Sequence, residues 1–360
     1  MIRCSVCIAL LLIGAGSLAA ADRWRISFSY DKPQENFDIA DFVCPAPGKC
    51  MATGALEHEG KFNPYAVITS DGGTHWTPLP LPEIPLSMFF LNPTTAWIVG
   101  EKAIFGSRDG GATWKKLSSS HDIERVYFLD ENRGFAVGDN QALLETSNGG
   151  SKWTEIRALE GLTAQPAENS FHWIFFSDDH DGIVIGEIEP TNESRVPSWL
   201  EPRRRHSTWL LLGRTSDGGA SWKFTRLQRT DDLVDVHVEQ KSLWFLFQPS
   251  GTESQSEVTS CDWHKDALIP LVTDSDALLA DAVHAGDRFF VAAISRQGRL
   301  MDVPIPGKLR IFSGPDFDRM TAMDVDYRAE ALRARFAVAP DGAVFLATDT
   351  GMILRLVQQP

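Results

Sequence analysis

The chain has 360 residues, of which 43% are hydrophobic and 23% charged, ample material for a globular core. Its formal net charge of -14 works against unaided binding to a phosphate backbone, so nucleic acid is set aside as a partner. Beyond the first residues no stretch is long and apolar enough to span a membrane as a helix.

The chain opens MIRCSVCIALLLIGAGSLAAAD. Arg3 gives a positive start, Ile8–Ile13 an apolar run, and Ala19–Ala21 a small-residue stretch before Asp22. That is the pattern of a secretory signal peptide over residues 1–21, with residues 22–360 forming the mature chain. The expectation is export to the periplasm or the extracellular space, an oxidising setting. Cys4 and Cys7 belong to the leader, and no Cys stands at the cleavage point to carry a lipid. Cys44 and Cys50 bracket the turn CPAPGKC and are candidates for a hairpin disulfide; two separate thiols are the other reading. The segment CDWH at Cys261–His264 adds one Cys and one His, too few for a metal, and the nine His show no ligand spacing. No metal and no cofactor are expected.

From Thr69 onward a phrase recurs: TSDGGTHW (Thr69–Trp76), SRDGGATW (Ser107–Trp114), TSNGGSKW (Thr146–Trp153) and TSDGGASW (Thr215–Trp222). Asp71, Asp109 and Asn148 are 38 and 39 residues apart, and Asp217 follows 69 residues later, one period plus an insertion of about 30 residues. A period near 40 is that of a four-stranded propeller blade. One repeat reads IERVYFLD, RGFAVGD, QALLETS and KWTEIRAL, four short strand-like segments here called A to D, each bounded by turn residues. The repeat before it reads LSMFFLN, TAWIVGE, AIFGS and TWKKLS; the one after it begins HWIFFSD and DGIVIGE. Later repeats lack the phrase, but DLVDVHV and SLWFLFQ suggest a fifth blade, ALLADAVHA, RFFVAAIS and KLRIFSG a sixth, and RARFAVAP, AVFLATD and MILRLVQ a seventh. The last has no outer strand after it. RWRISFS at the start of the mature chain resembles the D segments, so Trp24 is expected to begin the outer strand of the last blade and close the ring. The fold class is therefore all-β, a seven-bladed propeller of four-stranded antiparallel blades, with six or eight blades as alternatives.

Each residue of the phrase has a folding role. Asp71, Asp109, Asn148 and Asp217 can accept bonds from backbone N–H groups a few residues on. The glycine pairs permit positive φ. Trp76, Trp114, Trp153 and Trp222 lay large rings across the blades. Four acids spread around a ring cannot converge on one small ligand, so the phrase reads as a structural clip. It is the Asp-box, or BNR repeat, found in sialidases, sortilin-type receptors and some endoglucanases. The fuller pattern, an aromatic strand followed by GFAVG and LLETSNGGSKW, resembles the photosystem II assembly and stability factor family and its bacterial relatives outside photosynthesis. The resemblance runs from about Trp24 to Leu227. It implies a seven-bladed propeller that acts as an assembly scaffold rather than an enzyme.

The clips join strands C and D, which puts the B–C and D–A loops on the opposite face. Two insertions fall in B–C loops: ALEHEGKFNPY after Gly54, and a larger one at about 187–208. Long loops in a compact domain tend to carry function, so the face away from the clips is the candidate binding face. Glu101, Asp139 and Glu187 each follow the glycine that ends strand B; they read as an acidic arc or as charges tolerated at an exposed strand end. Arg203, Arg204 and Arg205 form a basic run beside Trp199, either a dock for an anionic or peptide partner or a solvated loop offset by Glu193 and Glu201.

The rival reading is a secreted glycoside hydrolase of sialidase or endoglucanase type. A sialidase needs an arginine cluster, a Tyr–Glu pair and an Asp; this chain has four Tyr (Tyr30, Tyr65, Tyr127, Tyr327), and RWRISFSY lacks the proline of the Arg-Ile-Pro signature. An endoglucanase needs two carboxylates at a set separation, and no pair stands out. There is no G-x-S-x-G, H-E-x-x-H or P-loop. His172 and His180 flank a strand-like segment and read as structural or exposed. The sequence thus points to an exported, monomeric, non-enzymatic propeller that binds a protein or peptide, as an assembly or stability factor for an envelope complex.

Overall fold

The computed structural model describes residues 22–162, 169–188, 208–229, 231–239, 242–249, 255–297, 299–300, 303–326 and 328–357. Seven antiparallel sheets of four strands, some with short extra pairings, form a propeller. Blade 1 is Glu35–Ala46, Lys49–His58, Lys61–Thr69 and Thr77–Pro80; blade 2 is Pro85–Phe90, Ala96–Gly100, Ala103–Ser107 and Lys115–Ser119. Blade 3 is Ile123–Phe128, Gly134–Gly138, Leu143–Thr146 and Thr154–Glu155; blade 4 is Asn169–Phe176, Gly182–Ile188, Thr208–Thr215 and Trp222–Arg229. Blade 5 is Asp232–Glu239, Ser242–Gln248, Ser256–Asp262 and Leu268–Asp274; blade 6 is Ala277–Ala285, Arg288–Ser295, Gly307–Gly314 and Thr321–Ala322. Blade 7 takes Ala334–Val338, Val344–Thr348 and Met352–Val357 from the end of the chain, and its outer strand, Arg23–Ser29, from the beginning. Trp24 pairs with Leu356 and Ser29 with Met352, so the expected closure by the N-terminal strand is the one formed.

The B strands explain why the sequence reads as short unbroken apolar runs. Ala96–Gly100, Gly134–Gly138 and Val344–Thr348 are buried at every position, because blades pack on both their faces. The core is a series of inter-blade layers: Phe135 of blade 3 packs with Phe176 and Trp222 of blade 4, and Phe345 of blade 7 with Phe42 of blade 1. Trp97 and Phe128 stack across blades 2 and 3 with centroids 3.6 Å apart.

Two expectations need correction. KWTEIRAL does not run through as one outer strand; Thr154–Glu155 pair with blade 3, where the Ile156 N–H also reaches Leu143 O, and Leu159–Glu160 cross over to pair in parallel with Trp222–Lys223 of blade 4. ALEHEGKFNPY is not a loop. It prolongs strands B and C of blade 1 into a hairpin whose turn, Glu59–Gly60, has positive φ at both residues.

The Asp-box turns are held as local chemistry dictates. Asp109 Oδ1 accepts the Thr113 N–H at 2.9 Å and Asp217 Oδ1 that of Ser221 at 3.0 Å, while Asn148 Oδ1 accepts that of Lys152 at 2.9 Å. In the first box Asp71 Oδ1 accepts the N–H groups of Thr74 and His75. The Thr113 hydroxyl and N–H lower the Asp109 carboxyl to about 2, and those of Ser221 do the same for Asp217. Gly72, Gly110, Gly149 and Gly218 each donate to the A–B turn of their own blade, at Gly48, Thr94, Asn132 and His180. The boxes therefore lie on the A–B face. Gly73 shows why the second glycine is needed: its φ is +83°, and a Cβ there would stand 2.4 Å from Ser27 Oγ. Ser27 donates to Gly73 O and accepts from Trp76 Nε1, tying blade 1 to the closing strand.

Candidate functional site

On the face opposite the boxes the inner strands begin, and six of the seven carry a β-bulge near that end. The shifts fall between Ile39 and Asp41, Pro85 and Ser87, Ile123 and Arg125, Phe171 and Trp173, Leu233 and Asp235, and Leu279 and Asp281. A bulge re-aims side chains at one end of a strand. Here it brings Asp41, Arg125, Asp235 and Asp281 into a charged cluster with Arg335 of blade 7.

Arg335 is the centre of that cluster. Nη1 donates to Asp41 Oδ1 at 2.7 Å and Nη2 to Asp235 Oδ2 at 2.8 Å, so one guanidinium spans blades 1, 5 and 7. The attraction of Asp235 first, and of Asp41 and Asp281 beside it, raises its pKa despite burial. Asp41 also accepts the N–H groups of Phe42 and of Met88 in the next blade. Asp281 accepts those of Ala282 and, from blade 7, Phe336. His237 Nε2 lies 2.6 Å from Asp281 Oδ1 and 3.7 Å from Asp235 Oδ2. Burial opposes its charge, but Asp281 and Asp235 outweigh that and raise its pKa to about 9. Arg125 donates to His172 O at 2.9 Å and lies over the Trp173 ring at 5.8 Å.

Asp235, His237 and Asp281 each offer a ligand atom within 4.8 Å of the others. The donor set does not suit a metal. Both oxygens of Asp281 already accept backbone N–H groups, Asp235 is shared between Val236 N–H and Arg335, and the His237 ring lies between them. The chemistry is that of an ion-pair network.

Above the network lies a cavity of about 130 Å³ between blades 1, 5, 6 and 7. Asp41, Asp235 and Arg335 line it together with alanines, and Arg333 and Asp349 stand in its wall. Arg333 donates to Asp38 Oδ1 at 2.9 Å and lies 3.7 Å from Asp349 Oδ2.

Across the same face, Asp139 and Glu187 lie near His172, a residue expected from the sequence to be structural or exposed. His172 is the displaced residue of the blade 4 bulge. Its Nδ1 is 2.9 Å from Glu124 Oε2 and its Nε2 4.0 Å from Glu187 Oε2. Burial lowers its pKa less than Glu124, Glu187 and Asp139 raise it. Asp139 also accepts from Ser170 Oγ at 3.0 Å. Glu101 is exposed just past strand B of blade 2. Trp199, Arg203, Arg204 and Arg205 lie outside the described residues. The chain enters their insertion after Ile188, the end of strand B of blade 4, on this face. No spacing in the sequence marks Asp41, Asp235, Asp281 and Arg335 as partners, because they meet only when the ring closes. Cys44 and Cys50 are joined, on the A–B face.

A family model described as photosynthesis system II assembly factor YCF48 matches residues 116–191. A photosystem II assembly lipoprotein Ycf48 of Prochlorococcus marinus is 37% identical over 38% of this chain. The chain spans about half the length of that relative, 47%. Among solved structures, YCF48 bound to a D1 peptide is similar with a TM-score of 0.60 and 15% identity, over 94% of this chain and 98% of that one. YCF48 from Cyanidioschyzon merolae follows with 0.58 and 16%, over 93% and 98%. An ancestral GH74 enzyme is also similar, with 0.54 and 12%, over 92% of this chain but 46% of that one. At such identities these three structures speak for the fold alone. The chain is an Asp-box β-propeller that resembles the photosystem II assembly factors, most directly over residues 116–191.

Proposed function

We infer that this protein is an exported, non-catalytic propeller that binds a protein or peptide partner on the face opposite its Asp-boxes. The observation that carries the reading is the cavity on that face, floored by a charge network whose members are fixed by backbone and cross-blade bonds. Fixed, desolvated charges suit recognition. They do not suit acid–base catalysis, because Asp41, Asp235 and Asp281 are held by donors and have no mobile proton to give. This separates the reading from a glycosidase, whose fold the GH74 structure shares. The D1 peptide bound to a YCF48 of the same fold, and the assembly role in the names of the sequence relatives, support a partner that is a polypeptide. Export is supported by the leader pattern, the Cys44–Cys50 bond and the lipoprotein relative.

The test is site-specific photocrosslinking in envelope extract. A crosslinker at Asn140, on the proposed face, is expected to trap one polypeptide that a crosslinker at Thr74 or Ser151, on the Asp-boxes, does not. Capture from the box positions alone would overturn the reading. So would turnover of a sialyl or β-glucan substrate that a single carboxylate substitution abolishes.

A further inference from the structure

We propose that the axial cavity seats one basic side chain of the partner, a lysine or arginine projecting from an otherwise extended segment. The proposal rests on the binding face inferred above and names the chemistry that this face recognises.

Size comes first. A cavity near 150 Å³ holds one benzene-sized group, so about 130 Å³ admits a single long side chain and not a folded ligand. Its walls are built for an apolar stem: Ala40, Ala280, Ala334 and Ala347 face it from blades 1, 6 and 7. Lysine and arginine bury such stems while presenting a charge at the tip.

Charge then decides between a cation and an anion. The cluster at and beneath the cavity contains five carboxylates, Asp38, Asp41, Asp235, Asp281 and Asp349. Four basic groups, Arg125, His237, Arg333 and Arg335, face them. One negative charge is left over even with His237 counted as charged. A carboxylate or phosphate finds no idle arginine in the lining. Arg335 is held between Asp41 and Asp235, and Arg333 between Asp38 and Asp349. Asp349 has an opening for a second cation: its Oδ1 accepts the Leu332 N–H at 3.0 Å, but its Oδ2 has Arg333 only at 3.7 Å. The rest of the mouth adds to the field. Glu124, Glu187 and Asp139 outnumber His172, and the whole chain carries -14. A negative mouth of this kind draws a basic segment in and steers it to the axis.

The test uses a labelled, capped peptide, Ala-Ala-Lys-Ala-Ala, with norleucine and glutamate versions, titrated into the mature protein and followed by NMR. The lysine peptide is expected to perturb residues around Asp349 and Ala347. The norleucine and glutamate peptides are expected to bind at least about tenfold more weakly. Two substitutions should move affinity in opposite directions. Asp349→Asn keeps the acceptor for Leu332 and should weaken the lysine peptide about tenfold. Arg333→Gln, which frees Asp38 and Asp349, should tighten it. The proposal falls if no lysine peptide binds at about millimolar concentration, if the glutamate peptide binds better, or if both variants leave affinity unchanged. A partner that still crosslinks from Asn140 under any of those outcomes keeps the binding face and rejects only the basic side chain. Perturbations confined to the Asp-box turns would reject both.

Discussion

The two halves of the ring are held together by different means. Blades 1 to 4 carry Asp-boxes, and their rims are fixed by neutral or charge-assisted bonds reaching two to four residues along the chain. Blades 5 to 7 have none, and their cohesion gathers at the axis, where Arg335, Asp235, His237 and Asp281 hold the inner strands to one another and to Asp41 of blade 1. The first device is built from short, repeated, exposed pieces that act one by one. The second is a single buried assembly in which each charge is the solvation of the next. The contrast predicts that damage to a box is local and small, whereas damage at the axis is large and shared.

The largest effect is expected from Arg335→Met. It leaves Asp41 and Asp235 buried without their counter-charge and should cost about 3–5 kcal/mol in urea unfolding. A loss no larger than that of a surface salt bridge would erase the distinction between the halves. Arg335→Met and Asp235→Leu should also be strongly non-additive, since the second substitution removes the charge that the first strands.

Smaller losses are expected at the boxes. Asp217→Ala removes acceptors for the Ser221 N–H and hydroxyl and should cost about 1 kcal/mol. Asp71→Ala combined with it should simply add, because the two turns lie on different blades and share no partner. Coupling between them beyond a few tenths of a kcal/mol would show that the boxes form a network after all.

The sharpest comparison is in pH. The folded-state pKa values of Asp109 and Asp217 are depressed from 3.8 to about 2, so their contribution is complete above 3.8 and lost as pH falls toward 2. His237 is raised from 6.5 to about 9, so its contribution is complete below 6.5 and lost as pH rises through 9. Stability should therefore be flat between about 4 and 6.5 and fall on either side. His237→Gln should shrink the alkaline limb, leaving the share of His172, and Asp109→Asn with Asp217→Asn should shrink the acid limb. One substitution flattening both limbs would contradict the separation.

The same division accounts for what could be read in advance. A box is encoded within eight consecutive residues, and the spacing of boxes gives the blade period, so blade count and ring closure at Trp24 were legible. The axial network was not. Arg335 stands 294 residues from Asp41 and 100 from Asp235, and the bulges that turn these side chains inward have no local signature. Asp139 stands past the end of strand B as expected, whereas Gly186 does not end strand B of blade 4 and Glu187 is paired inside it; their link through His172 was hidden because a bulge, not a turn, presents that histidine. The outer strand of blade 3 was overrun because nothing in the sequence marks where the chain leaves blade 3 after Ile156 and crosses to Trp222–Lys223 of blade 4.

Ring closure also has a consequence for how the protein is made. The strand Arg23–Ser29 leaves the ribosome early, and its partner, Met352–Val357, leaves late. Until then the chain is an open arc with a raw sheet edge at each end, the kind of edge that recruits strands from other chains. All seven blades must be synthesised before the first strand of the propeller can meet the last. Such long-range pairing is slow to form. The interval between the first strand and the last is when this protein is most exposed to misassembly, and when a chaperone would have most to do.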